Sequence, residues 1–116
     1  MHLYGRAAVD AFRKAGLYDW LRGQLVLGEN VAQAAQFAQT GSADVAVIAL
    51  SLTLAPAMKQ VGTAVEIAPD AFAPIRQTGV VLTRSTNPEL AIRFLEFLSQ
   101  PDIAQLLRTA GFGPRP

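Results

Sequence analysis

Six consecutive residues, Gly28-Glu29-Asn30-Val31-Ala32-Gln33, offer the clearest chemistry in this chain. Asn30 is a strong helix N-cap type, and Gln33, three residues on, can complete a capping box with it. The spacing therefore predicts a loop that becomes the first turn of a helix. Such a start gathers unbonded backbone N–H groups at the positive end of the helix dipole, a combination that holds anions. Neither Lys nor Arg occurs in the stretch, so any anion held there meets neutral donors. Glu29 would oppose it unless its carboxylate points to solvent or caps the helix. The same residues allow a plainer reading, in which Val31 only begins the apolar stripe Val31, Ala34, Ala35 and Ala38, and Asn30 caps without touching a ligand.

No catalytic constellation can be assembled. The chain has no cysteine, so thiol nucleophiles, disulfides and Cys-based metal sites are excluded. Its one histidine, His2, is too little for a Ser-His-Asp triad or a His-rich metal site. No enzyme, metal or cofactor is expected. Of 116 residues, 51% are hydrophobic and 16% charged, a balance that builds a core rather than a disordered chain. Net charge is +1, pI is near 8.2, and no face reads as a basic stripe, which argues against nucleic acid. The N-terminus lacks the pattern of a signal peptide. The longest apolar run, residues 45–50, is far short of the about 20 needed to span a bilayer, so no membrane span is expected.

The elements that would position the anion stretch follow from periodicity. Residues 6–15 read as a helix stopped by Gly16, followed by a short turn over 17–21 in which Trp20 and Leu21 plug a core edge. Residues 24–27 read as a strand, and 31–39 as the helix of the anion stretch, ended by Thr40-Gly41-Ser42. Residues 43–50 are apolar on both faces apart from Asp44, the pattern of a central strand covered on both sides. Ser51 reads as a helix cap after that strand. Strands are expected at 63–67 and 79–83. Asn87 and Pro88 open a strong amphipathic helix, and Pro101 opens another that Gly111 stops. Strands alternating with helices predict an α/β fold.

Five motifs in order carry a family resemblance: Tyr4-Gly5-Arg6-Ala7-Ala8, Gly28 to Ala34, Val47-Ile48-Ala49-Leu50-Ser51, Pro74-Ile75-Arg76-Gln77, and the closing helix pair between Pro88 and Gly111. With them the chain resembles the C-terminal half of the molybdate-binding proteins of ABC importers, which are class II periplasmic solute-binding proteins. The resemblance implies parts of both lobes of that fold: a mostly parallel sheet with helices on both faces, incomplete without its N-terminal half. Residues 1–50 would be a second-lobe segment carrying the anion helix, and 51–116 a segment returning to the first lobe.

The resemblance also implies an oxyanion held between lobes by neutral donors. The backbone N–H at Val31 would be one, Tyr4 another contact, and Asn30 the cap beside them. A tyrosine used by some members corresponds here to Ala49. Arg76 would pair with a carboxylate at the lobe surface rather than touch the anion. The implied ligand is molybdate or tungstate, the implied partner an ABC permease, and the implied location the periplasm. The first lobe's donors have no counterpart in this sequence. The expected function is therefore an oxyanion-binding importer component present as a C-terminal half. The alternative is a relative that has lost tight binding and serves as a self-associating structural or interaction module. Open strand edges and apolar faces predict a homodimer formed by strand exchange or edge pairing.

Overall fold

The computed structural model of the chain describes residues 3–113; His2, weighed above for a triad or metal site, lies outside them. Among the described residues six α-helices follow in order: α1 (Leu3–Lys14), α2 (Tyr18–Leu21), α3 (Val31–Gln39), α4 (Leu50–Thr53), α5 (Pro88–Phe97) and α6 (Pro101–Thr109), with a 3-10 turn at Pro69–Ala71 between α4 and α5. The chain divides into two compact units, Met1–Ile75 and Arg76–Pro116. Among the described residues no helix is long and apolar enough to cross a membrane.

The helix ends follow local chemistry. α1 closes on a Schellman motif: the Leu17 N–H donates to the Phe12 carbonyl at 2.8 Å and the Gly16 N–H to the Arg13 carbonyl at 3.0 Å. α3 ends the same way, with Ser42 donating to Phe37 at 2.9 Å and Gly41 to Ala38 at 3.2 Å. Both motifs need a left-handed residue after the helix, and glycine supplies it at φ 70° for Gly16 and 73° for Gly41. In the second unit, the Asn87 side chain accepts from the Leu90 N–H at 3.2 Å and Pro88 takes the first helical position. Pro101 likewise opens α6.

The expected α/β sheet is not formed: among the described residues there is no strand. Residues 44–49, 63–67 and 79–83 donate no backbone hydrogen bond there. The run over 43–50, expected to be covered on both faces, leaves Val45 82% exposed; Val65 is 86% and Val80 76% exposed. The physical reason is that a strand exists only through a neighbour. Residue pattern selects an extended segment suited to burial, but ladder bonds must come from another segment at the right register. Nothing within the described chain provides one.

The buried residues of the first unit are accordingly few and small: Val9 and Ala11 from α1, Ala35 from α3, and Ala49 just before α4. Trp20 does not plug a core edge; it is 70% exposed. Its neighbour Leu21 is half-buried. Ser51 does not cap a helix either. α4 begins one residue earlier, at Leu50, and Ser51 lies inside it.

One contact ties distant parts of the first unit together. Lys14 Nζ donates to the Asp70 carboxylate at 2.7 Å and to the Asp70 backbone carbonyl at 2.6 Å, joining the end of α1 to the 3-10 turn across 56 residues of sequence. The hydrogen bond from Lys14 and then its charge hold the Asp70 carboxyl below its ordinary value. The folded state thus binds fewer protons than the unfolded one. The stabilisation is full above the ordinary carboxylate range and is lost as pH falls through the lowered folded value. Both side chains are exposed, so the effect is small. Thermal unfolding followed from neutral to acid pH should show a slightly shallower decline in Lys14→Ala than in the parent chain.

Candidate functional site

Residues 22–27 separate α2 from the anion stretch, which begins at Gly28 and runs into α3. At Gly28 the backbone folds against the turn that follows. A Cβ placed on Gly28 would lie 2.9 Å from both the Ala34 nitrogen and the Asn30 carbonyl oxygen. Both are backbone atoms that cannot swing aside, so only glycine fits. Asn30 then takes an extended conformation, φ −151° and ψ 173°, and its Oδ1 accepts the Gln33 N–H at 2.9 Å. The Ala34 N–H reaches the Asn30 carbonyl at 3.2 Å, the first helical bond of α3.

Gln33 does close back on the turn, with a difference from the expected capping box. Its Oε1 accepts the N–H of Glu29 at 2.6 Å, one residue before the cap, rather than that of Asn30. As a result the N–H groups of Asn30, Val31 and Ala32 donate to no protein atom among the described residues. Asn30 and Ala32 are exposed and Val31 is half-buried. The Glu29 side chain is exposed, and its carboxylate accepts no hydrogen bond among the described residues. Three successive donors at the positive end of a nine-residue helix, without a cation in the stretch, can hold an oxyanion through directional neutral bonds.

Asn30 and Val31 are thus brought together by the start of α3. Tyr4 sits elsewhere, half-buried in the first turn of α1, and no hydrogen bond joins it to the Asn30–Gln33 turn among the described residues. Ala49 is buried and extended, with φ −65° and ψ 140°. Arg76 is exposed and forms no ion pair among the described residues, so the expected carboxylate partner is not there. Gly28 was not singled out for its own role, which is a close approach between backbone atoms six residues apart. Gln33 was expected to close on the cap, and it closes on Glu29 instead. The Gly-x-Asn spacing ahead of a helix start is the signal that could have found Gly28. Among the described residues no group of three or more His, Cys, Asp or Glu could hold a metal ion.

Comparison with known proteins gives the chain a family. The family of bacterial extracellular solute-binding proteins matches residues 2–113. The molybdate-binding protein ModA of Rhodobacter capsulatus is 33% identical over 109 residues, which are 94% of this chain and 42% of that protein. The ModA of Azotobacter vinelandii is 33% identical over 110 residues, 95% of this chain and 44% of that protein. The chain therefore spans less than half the length of these curated relatives. No solved structure matches it at significance. The proteins it matches are solute-binding proteins and not enzymes. With a match that runs nearly from end to end, the chain belongs to the family of bacterial extracellular solute-binding proteins.

Proposed function

We propose that this chain supplies one side of an oxyanion site, for molybdate or tungstate, in an extracytoplasmic solute-binding component that serves an ABC permease. The observation that supports it is the run of N–H groups at Asn30, Val31 and Ala32, left without protein partners at the start of α3. The similarity to two molybdate-binding proteins supports an oxyanion of that kind as its ligand. In this reading the Val31 N–H is a direct donor, Asn30 holds the turn that presents it, and Tyr4 is a further contact from the same segment. Residues 1–50 carry the anion helix as part of one lobe, and 51–116 return to the other as the C-terminal half of a two-lobed protein. Neutral donors suit a tetrahedral dianion because they leave selection to size and geometry rather than to charge alone.

Calorimetric titration of the chain with molybdate and tungstate, with sulfate and phosphate as controls, tests this reading. Saturable heat and a rise in unfolding temperature with molybdate or tungstate, exceeding those with sulfate and phosphate, are expected. No heat and no thermal shift would overturn it.

A second reading, a self-associating module, is favoured by the exposed apolar residues Val45, Val65 and Val80 on segments without ladder partners. Exposed backbone of this kind seeks a partner, and a second copy of the chain is always at hand. A homodimer is expected by light scattering after size exclusion. A folded monomer at the same concentration refutes it.

A further inference from the structure

A concavity of the first unit lies apart from the α3 turn, with none of residues 28–34 in its lining. A cleft of about 470 Å³ lies between α1, α2 and the chain that follows α2. Arg6, Asp10 and Arg13 line it from α1, where spacings of four and three residues put them on one face. Tyr18 and Arg22 line it from α2 and its C-cap. Three arginines therefore line one space, with Asp10 the single acidic residue among its lining residues. No carboxylate lies within ion-pair distance of any of the three among the described residues. Arg13 is held by stacking, its guanidinium carbon 4.9 Å from the centre of the Tyr18 ring.

Like charges gathered in a concave space raise the local positive potential, and a bound anion relieves that repulsion. The guanidinium fork matches carboxylate and phosphate oxygens in pairs, which a point charge cannot do. Val9, Leu25 and Leu27 complete the lining with apolar surface. The volume falls in the range of small-molecule sites, about 300–1,000 Å³, and far exceeds what one four-oxygen dianion fills. We infer that this cleft binds an organic polyanion carrying two or more carboxylate or phosphate groups on a carbon skeleton. The assignment is independent of the oxyanion site at α3.

Citrate and fructose 1,6-bisphosphate, titrated calorimetrically into the chain, probe the carboxylate and phosphate forms of that chemistry. One-to-one saturable binding of at least one of them is expected. Arg22→Gln and Arg6→Gln, which remove no stacking contact, should each weaken it at least tenfold with unchanged far-UV circular dichroism. Arg93→Gln, an exposed position in the second unit, should leave it unaltered. Val31→Pro should also leave it unaltered, which separates this site from the one at α3. Absence of saturable binding for both probes overturns the assignment. So does a loss in Arg93→Gln equal to that in Arg22→Gln, since that marks diffuse attraction rather than a site.

Discussion

Val31→Pro is expected to leave α3 in place and to weaken molybdate binding about ten- to a hundredfold. Val31 is the first residue of α3. At that position proline is welcome, because its fixed φ suits the helix and its missing N–H has no helical acceptor. The residue before a proline must be extended, and Asn30 already is, at φ −151° and ψ 173°. The substitution thus removes one donor and little else. A hydrogen bond to a charged partner contributes about 1.5–3 kcal/mol, which sets the size of the loss. Circular dichroism should match the parent chain, and titration calorimetry should show the deficit. Undiminished affinity in a folded Val31→Pro variant would remove the Val31 N–H from the site. A donor elsewhere, such as the side chain of Tyr4, would then have to account for binding.

Gly28→Ala acts on the same turn by the opposite route, keeping every donor and moving them. A methyl group at Gly28 would sit 2.9 Å from the Ala34 nitrogen and the Asn30 oxygen, the two atoms of the first helical bond of α3. Relief requires the loop to shift away, which pulls on the Gln33–Glu29 and Asn30–Gln33 bonds as well. Overpacking of this kind costs about 1–3 kcal/mol. The expected result is a lower unfolding temperature together with faster amide hydrogen exchange at Glu29 and Gln33, and loss of molybdate binding. Gly23→Ala is the matched control, since a Cβ there meets nothing within 4 Å. If the two alanine variants exchanged and bound alike, the close approach at Gly28 would carry no consequence for the turn.

Two features were readable from residue order because they are local. Asn30 and Asn87 cap the helices they were expected to cap, and Gly16 and Gly41 stop helices where a left-handed residue was required. Each depends on atoms within about five residues, so composition and spacing suffice. The start of α3 as a capped turn presenting free N–H groups was legible for the same reason, and the chain's likeness to a solute-binding family was carried by motif order.

The sheet was not legible in this way. The alternation at 63–67 and the apolar run at 43–50 say what a segment is suited to, whereas a strand is a relation between segments. Val45, Val65 and Val80 stand exposed because no described segment lies beside them. Trp20 failed as a core residue on the same ground: its size invites burial, but burial needs a surface to pack against.

What the sequence determined by itself, then, is α3, α5 and α6 with their starts, the glycine stops after α1 and α3, and the free N–H groups at Val31 and Ala32, all set by short-range sterics and hydrogen bonding. The tertiary structure alone decided that Lys14 meets Asp70 across 56 residues, and that Arg22 from the end of α2 joins Arg6 and Arg13 over one cleft. It alone decided, too, that the strand-like runs stay unpaired among the described residues. These outcomes depend on which distant segments approach one another, and no local pattern encodes that.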